Sequence, residues 1–479
     1  MTLAARTGAT ARVAALGLVL AGCVVGPRYR TPATPASAAG PFVSAVPASA
    51  AGQPLPRHWW RLYQDPVLDN LVERALTENK DLKVAAANLA YAEGLLEEAR
   101  AGRYPTTALT AGATYGRSAG QTVFGQTTLG STAGLTYAAG FTASYQIDLF
   151  GRVRRAIESA GANVEATADT EDAMRVTVAG ETASAYANIC GYGRQISVAG
   201  RSLAVVQETY DITARQRDAG ALSDFEVERE GALLEQARSA IPPLQGQRRA
   251  ALFTLAALIG ATPAQVPAAA SACQIPPILT RPLPVGDGAA LLRRRPDVRS
   301  AERALASATA SIGVAAADLY PTVSLGGSVS SFASRIGGLF DASAVSYGLG
   351  PLISWTFPNI LVARARVKQT TAQASAALAA FDATVLTALQ ETEQALATYA
   401  AELDHHTALA AAQGHADQAL RLVGIQTQAG VASSLDLLQA QATAVAADQA
   451  VALSDQAIGA DQVAVFQALG GGWEDAPPV

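Results

Sequence analysis

Apolar residues alternate with small or polar residues along two stretches of the chain, 135–149 and 345–357. A period of two is typical of β-strands. The only charged residue between Thr106 and Ile147 is Arg117. Alternation with almost no charge predicts strands that face lipid on one side and water on the other, and the alternative is the edge of a soluble β-sandwich. The alternating apolar positions are Leu135, Tyr137, Ala139, Phe141, Ala143, Tyr145, Ile147 and Leu149 in the first stretch, and Val345, Tyr347, Leu349, Ile353, Trp355 and Phe357 in the second.

Each stretch has room for roughly two strands of membrane-spanning length, about 9–11 residues each. Four strands per chain are too few, because the smallest bacterial barrels have about eight. Since open strand edges cannot remain unpaired in lipid, several copies of the chain must share one barrel. Cyclic symmetry is the simplest arrangement, and a trimer would give twelve strands.

The remaining sequence predicts very long helices. No proline occurs from Arg152 to Asp218, and Val362 to Gln428 is the corresponding stretch further along the chain. At 1.5 Å per residue each would reach roughly 100 Å, which predicts a coiled-coil-like or tubular assembly. Gly220 and Gly430 predict helix-to-helix turns. Pro242-Pro243 predicts a break in the first returning helix, and the second returning helix has no such break.

The chain also repeats itself. Tyr104-Pro105-Thr106 precedes the first alternating stretch, and Tyr320-Pro321-Thr322 precedes the second. The Ala-Gly pair at Gly220 recurs at Gly430. Two halves with the same order of elements predict a duplicated structural unit.

The N-terminus reads as a secretory signal over residues 1–22. Leu20-Ala21-Gly22-Cys23 then has the form of a bacterial lipobox, which predicts cleavage between Gly22 and Cys23 and attachment of lipid, including palmitate, to Cys23. The alternative is ordinary signal cleavage near a chance cysteine. Residues 24–56 are rich in Pro, Ala and Ser and predict an extended tether that separates the lipid from the folded body.

These features predict a mixed α+β membrane protein with a defined order of segments. The predicted segments are the signal peptide 1–22, the lipidated tether 23–60, helices of the first repeat 61–105, the first β-hairpin 106–150, a long helix with its turn and returning helix 151–260, a non-helical equatorial insertion 261–290, helices of the second repeat 291–320, the second β-hairpin 321–358, the second long helix with its turn and returning helix 359–470, and the C-terminal tail 471–479.

Composition and charge exclude several other classes of protein. With 35 basic and 40 acidic residues the net charge is −5, which argues against a nucleic-acid binder. No stretch after residue 23 is expected to supply the roughly 20 apolar residues of a membrane helix, which excludes a polytopic helical transporter. The histidines 405, 406 and 415 are expected on a solvated helix face, and no catalytic, metal or cofactor motif appears. Whether Cys190 and Cys273 form a disulfide stays open.

Taken in order, a set of short strings resembles the outer-membrane factors of the TolC/OprM type, and especially the NodT branch of efflux lipoproteins. The resemblance covers the chain from Cys23 to Trp473 and implies a trimeric twelve-stranded outer-membrane barrel continued by a long periplasmic helical barrel with a small equatorial domain. It also implies a periplasmic adaptor and an inner-membrane pump, often of the RND class, as partners. The strings are CVVGPRY from Cys23, WWRLYQDPVLDNLVERAL from Trp59, IDLFGRVRR from Ile147, RRPDVRSAERAL from Arg294, LYPTVSL from Leu319 and ALGGGW ending at Trp473.

The same resemblance implies where the channel closes and where it meets its adaptor. The gate is expected near the two turns, and rings of carboxylates would repel anions there. The alternative is that these acids stabilise helix starts, with Ser433 or Ser434 in that role at the second turn. The gate candidates are Arg215, Asp218, Asp224, Gln426 and Asp436, and the adaptor-contact candidates are Ala219, Gly220, Ala221, Ala429, Gly430 and Val431.

The leading function is therefore the exit channel of a tripartite efflux system for small toxic molecules, without enzymatic activity. Two alternatives remain: the exit duct of a type I protein-secretion system, and a lipid-anchored periplasmic coiled-coil scaffold.

Overall fold

The structure is a computed structural model that describes residues 24–33, 36–44, 49–51, 55–116, 122–123, 126–127, 133–279, 281–355, 357 and 360–473. The helices are α1 Pro66–Glu78, α2 Lys80–Ala101, α3 Arg152–Asp218, α4 Asp224–Ser239, α5 Ile241–Leu258, α6 Ala268–Ala272, α7 Gly288–Arg294, α8 Pro296–Ala317, α9 Ile360–Gln428 and α10 Ser434–Ala468. The strands are β1 Ser49–Ala51, β2 Thr106–Gly116, β3 Thr122–Val123, β4 Gln126–Thr127, β5 Gly134–Ile147, β6 Leu283–Gly286, β7 Thr322–Ala333 and β8 Val345–Ser354. Short 3₁₀ turns occur at Ala36–Ala38, Trp59–Tyr63, Pro263–Gln265 and Ile336–Phe340.

The first of two compact units contains residues up to Thr31, Ala90–Glu165 and Glu302–Ala380. Its centre is a four-stranded sheet in the order β2-β5-β7-β8, in which every neighbouring pair is antiparallel. The prediction of four long strands per chain is confirmed. Their lengths of 11, 14, 12 and 10 residues are close to or above the length that spans a bilayer.

The last strand ends earlier than the alternating pattern predicts. Strand β8 ends at Ser354, so Trp355 and Phe357 do not continue its apolar face. The two aromatic rings instead lie against each other, 5.1 Å apart. The alternating apolar pattern continues beyond β8 because Trp355 and Phe357 are also apolar. Such a pattern alone does not show where the hydrogen bonding between strands ends.

The second unit contains Pro32–Leu89, Ala166–Ala301 and the chain from Phe381 onwards. Its core forms around Trp59, which is fully buried and stacks on Phe466 of α10 with ring centroids 4.6 Å apart. Helix α1 begins where Asp65 accepts hydrogen bonds from the backbone N–H groups of Val67 and Leu68. The leucines of α1 then point into the same core as Trp59, which fixes this helix to α10.

The two long helices are confirmed. Helices α3 and α9 have 67 and 69 residues. The first returning helix is interrupted at Ala240, where α5 starts with prolines in its first turn, as Pro242-Pro243 predicts. The second, α10, is continuous over 35 residues.

Among the described helices, α9 is long and apolar enough to cross a membrane by length and composition alone. The expectation that no segment after residue 23 meets this criterion is therefore wrong. The high apolar content of α9 comes largely from alanine, whose short side chain raises mean hydropathy without forming long runs of large apolar residues.

The segment 23–60 is not a free tether, and this prediction needs correction. Its short strand β1 pairs in parallel with β6, and Glu393 accepts hydrogen bonds from the backbone N–H groups of Val43 and Ser44. Phe42, Leu55, Trp59 and Trp60 are buried. The Pro- and Ala-rich composition concealed these few large apolar residues, and their burial holds the segment to the second unit.

The prediction that residues 261–290 are non-helical is also wrong in part. The segment contains α6, which begins after Pro267 in a run of alanines with high helix propensity. A disulfide joins Cys273, the residue after α6, to Cys190 in α3. Arg248 of α5 donates hydrogen bonds of 2.7 Å to the carbonyl oxygens of Ser271 and Cys273. The question of whether the two cysteines pair is thereby answered.

Candidate functional site

One face of the four-stranded sheet is apolar. The paired residues Leu109, Phe141, Val329 and Tyr347 form a row across all four strands. All four side chains are exposed, Leu109 and Tyr347 to more than 80%. A large apolar surface of this kind is stable only against lipid or protein. Other exposed apolar members of this face are Tyr115, Leu135, Tyr145, Ile147, Leu325, Val345, Leu349 and Ile353.

The opposite face carries mainly hydroxyl groups and glycines, with Phe332 and Leu352 as exposed apolar exceptions. The row Thr110, Gly140, Ser330 and Ser346 lies between two apolar rows of the first face. The hydroxyls bond within the sheet: Thr110 Oγ1 donates to the carbonyl of Gly140, and the Oγ atoms of Ser330 and Ser346 are 2.9 Å apart. None of the four long strands, all of which are described, contains a charged residue. One face therefore suits lipid and the other suits water.

Both edges of this sheet are unpaired in the part of the chain that the structure describes. Strand β2 pairs only with β5, and β8 pairs only with β7. Exposed N–H and C=O groups along these edges are costly in a membrane. The sheet is therefore complete only when other copies pair with β2 and β8.

The two turns between long and returning helices repeat each other. Gly220 has φ +75° and Gly430 has φ +72°. After each glycine, the next N–H bonds back five residues, from Ala221 to the carbonyl of Gln216 and from Val431 to that of Gln426, both at 2.8 Å. This is the Schellman ending, which needs a left-handed residue at the glycine position.

The structure brings two of the predicted gate acids together through a third residue. Arg217 contacts Asp218 at 2.9 Å and Asp224 at 3.1 Å, all three side chains being exposed. These two carboxylates raise the pKa of Arg217, the hydrogen bond to Asp224 being the larger cause. The sequence analysis did not single out Arg217. Its position next to Asp218, and seven residues before Asp224 across a tight turn, could have predicted these ion pairs.

Asp436 has a different environment. It forms a capping box with Ser433: its carboxylate accepts from the Ser433 N–H at 3.0 Å and from the Ser433 hydroxyl at 2.6 Å, and Ser433 Oγ accepts from the Asp436 N–H. These bonds lower the pKa of Asp436. The geometry matches the helix-start alternative for this acid. Of the remaining gate candidates, Gln426 accepts from Val431 and Ala432 through its backbone oxygen, and Arg215 accepts from the Ala219 N–H through its own.

The first unit also contains a cavity of about 640 Å³ among four helices. Its walls come from α2, α3, α8 and α9 and consist mainly of small, hydroxyl and amide side chains. Asp318 lies at this cavity and forms ion pairs with Arg152 and Arg366 at 2.6 and 3.1 Å. Eight of its fourteen lining residues have polar side chains.

No group of metal-binding side chains occurs among the residues that the structure describes. His405 contacts Glu402 at 3.3 Å, and His406 contacts Asp455 of α10 at 3.0 Å, so the two histidines point to different partners. The predicted cleavage and lipidation residues, Gly22 and Cys23, lie outside the described residues.

A family model described as outer membrane efflux protein matches residues 71–261 and 289–471. The chain belongs to this family. The two matched segments correspond to the two halves of the chain and together cover most of it, which agrees with the predicted duplication.

Individual relatives agree with this assignment. The chain is 30% identical to Nodulation protein T of Rhizobium leguminosarum bv. viciae, over 82% of this chain and 79% of the relative. It is 28% identical to the toluene efflux pump outer membrane protein TtgC of Pseudomonas putida, over 80% and 79% of the two chains. Among solved structures, the outer-membrane channel OprN has 33% identity and a TM-score of 0.84, with 94% of this chain and 100% of that chain covered.

Membership explains the incomplete sheet. The protein is a subunit of a trimeric outer-membrane efflux channel, in which three four-stranded sheets make one barrel and the long helices extend into the periplasm. Its partners are a periplasmic adaptor and an inner-membrane pump.

Proposed function

We propose that this channel is the exit duct for small toxic molecules, driven by an inner-membrane pump of the RND class. The sheet with one apolar and one hydroxyl-lined face is the observation that carries the proposal, because such a sheet can enclose a water-filled path through lipid. The chain acts without catalysing a reaction, and the pump supplies the energy. The toluene efflux relative supports a small organic substrate.

The gate of the duct lies at the two Schellman turns. Asp218, Asp224 and Asp436, together with Arg215 and Gln426, are the candidates for its lining. Around a threefold axis each exposed acid would give three carboxylates, which attract cations and repel anions. Because Arg217 compensates part of the charge of Asp218 and Asp224, the net negative charge at the first turn depends on this arginine.

The small residues at the turns are the adaptor contacts in this proposal. Ala219, Gly220 and Ala221 at the first turn correspond to Ala429, Gly430 and Val431 at the second. Val431 is 79% exposed, and a Cβ at either glycine would meet open space. Small exposed side chains allow the backbone of a partner to approach closely.

Lipid on Cys23 would attach the chain at the periplasmic surface of the outer membrane. The next residue, Val24, lies against Gly151, and Val25 donates a hydrogen bond to the carbonyl of Phe150. Phe150 and Gly151 lie three and four residues after the end of strand β5, and a Cβ at Gly151 would come within 2.7 Å of the Val24 side chain. These contacts of Val24 and Val25 support the proposal that a lipid on the preceding residue would need no long spacer to reach the membrane. If Cys23→Ala were still labelled with palmitate, this assignment would fail.

Growth inhibition tests the proposed function. A strain that lacks this protein is compared with the same strain carrying the wild-type gene or a Cys190→Ala, Cys273→Ala version, across antibiotics, dyes, detergents, aromatic acids and metal salts. Restored resistance to a class of small molecules is the expected result. A profile that does not change on deletion, combined with loss of a secreted protein, would favour a type I secretion duct instead.

A further inference from the structure

Exposed arginines surround the edge of the sheet from which the helices start. Arg103 lies three residues before β2, Arg154 is in the first turn of α3, and Arg364 is at the start of the second turn of α9. Thr106, Ile147 and Ser354 mark the ends of the corresponding strands, and the pairing places all three at one edge. The three arginines therefore follow the same edge of the sheet, 3, 7 and 10 residues along the chain from Thr106, Ile147 and Ser354.

Their guanidinium groups have no partner in the described part of the chain. The neighbouring acids are engaged elsewhere: Glu158 pairs with Arg155 at 2.8 Å, and Asp148 accepts the backbone N–H groups of Val153 and Arg154 at 3.0 and 2.9 Å. Asp318 pairs with Arg152 and Arg366. Three positive charges near this edge thus have no partner among the described residues and are available to a partner of opposite charge.

The arginines on α3 and α9 point away from the polar cavity of the first unit. Ala156 and Arg366 line that cavity, and Arg154 and Arg364 each lie two positions from one of them. With 3.6 residues per turn, two positions correspond to about 200° around the helix axis. Arg154 and Arg364 therefore lie on the side of their helices opposite this cavity, which we call the outer side.

The outer side of α9 changes from apolar to basic with distance from the sheet. Leu361, Arg364 and Lys368 follow one another on a single stripe, and all three are exposed. Aromatic rings stand at the same level, with Tyr104 at 71% and Trp355 at 48% exposure. An aromatic girdle followed by basic residues is the pattern that a membrane–water interface selects.

We propose that Arg103, Arg154 and Arg364, supported by Lys368, bind the phosphodiester headgroups of anionic glycerophospholipids in the periplasmic leaflet of the outer membrane. Guanidinium groups bind phosphate through paired hydrogen bonds, and a fixed row of them selects anionic over zwitterionic lipid. The inference rests on the sheet spanning the outer membrane. Together with the lipid on Cys23, the belt would fix the height and tilt of the channel.

Tryptophan fluorescence in lipid vesicles tests the proposal on the full trimer. Of the four tryptophans, Trp59, Trp60 and Trp473 belong to the second unit, so brominated lipid is expected to quench Trp355 beside the sheet, and a Trp355→Phe variant identifies its signal. Quenching by brominated phosphatidylglycerol is compared with quenching by brominated phosphatidylcholine. The relative binding constant should favour phosphatidylglycerol by about five-fold per arginine, the equivalent of roughly 1 kcal/mol for each basic residue near an anionic surface.

The variant Arg103→Gln, Arg154→Gln, Arg364→Gln should reduce this preference to near unity. A matched control, Arg74→Gln, Arg201→Gln, Arg249→Gln, removes three exposed arginines of the second unit and should leave it unchanged. The variant with lysine at positions 103, 154 and 364 keeps the charge and should retain most of the preference, which separates binding from misfolding. Added inorganic phosphate should not compete, because the site binds headgroups presented by a bilayer.

Equal quenching by both lipids in the wild type would overturn the proposal, as would a preference that survives the triple glutamine variant. Loss of the preference in inorganic phosphate would assign the site to the free anion instead. Absence of quenching by either lipid would show that the sheet is not in the bilayer, and then the proposed function itself would fail.

Discussion

Gly220 and Gly430 hold the same position in two turns that share three corresponding backbone hydrogen bonds. Each has a positive φ, each precedes the residue whose N–H bonds back five positions, and each follows an alanine. A side chain would meet nothing at either site, so glycine is required for backbone conformation and not for space.

Replacing these glycines should therefore destabilise the turns alone. Gly220→Ala or Gly430→Ala costs about 1–2 kcal/mol for a non-glycine residue in the left-handed region. The temperature at which trimers convert to monomers on gels measures the effect on stability. The conductance of reconstituted channels measures the effect on closure. Gly200→Ala and Gly414→Ala are matched controls in the same two helices, with open space around both and ordinary helical φ, and should be neutral or stabilising. Equal effects at all four glycines would contradict the turn assignment.

The charges at the first turn should control ion selectivity. Asp218→Asn with Asp224→Asn should lower the permeability of cations relative to anions, since both acids are exposed. Arg217→Gln should raise it, because this guanidinium neutralises the same two carboxylates. Reversal potentials in a potassium chloride gradient measure the ratio. An unchanged reversal potential in both variants would place the selective region elsewhere.

Asp436 should behave as a helix cap. Its hydrogen bonds with Ser433 lower its pKa, so the folded state favours the charged form. The resulting stability is present above the ordinary carboxyl pKa and is lost as pH falls through the lowered value. Asp436→Asn should remove this pH dependence, and Ser433→Ala should weaken it. Thermal unfolding between about pH 2 and pH 7 measures it, and a change in ion selectivity without a change in stability would contradict the capping role.

Asp461 should destabilise the protein at neutral pH. Burial, with a smaller contribution from Glu402, raises its pKa to about 6 from the ordinary value of 3.8. A raised pKa means that its contribution to stability is full below the ordinary value and is lost as pH rises through about 6. Asp461→Asn should thus be more stable than the wild type at pH 7, and the difference should shrink on acidification. Asp404→Asn, at an exposed position, is the control, and an equal gain there would contradict the explanation.

The disulfide should stabilise the second unit. Cys190 and Cys273 are 83 residues apart, and closing a loop of that size constrains the unfolded chain by about 4–5 kcal/mol. The variant Cys190→Ala, Cys273→Ala should have a free energy of unfolding lower by that amount. Its denaturant unfolding midpoint should fall accordingly. A reducing agent should destabilise the wild type and leave the variant unaffected. If the reductant acted equally on both, the bond would not be the source of stability.

The sequence predicted periodic features well and long-range contacts poorly. The alternating pattern around Phe141 correctly predicted the strands, and the proline-free stretches correctly predicted α3 and α9. Both signals depend only on residues that are near each other in sequence. The predicted tether failed at Trp59, since its burial depends on Phe466, four hundred residues away in sequence. The same limit applies to the Cys190–Cys273 bond and to Arg217, whose pairing with Asp224 exists only once the turn has formed.

The central claim is that three copies of this chain enclose a path through the membrane. Single-channel recording from purified trimers in planar lipid bilayers tests it most directly, with Gly220→Ala, Gly430→Ala protein used to weaken the closed turns. The account predicts discrete conductance steps that are larger or more frequent in the variant than in the wild type. Trimers that insert stably into the bilayer and give no conductance in either form would contradict it.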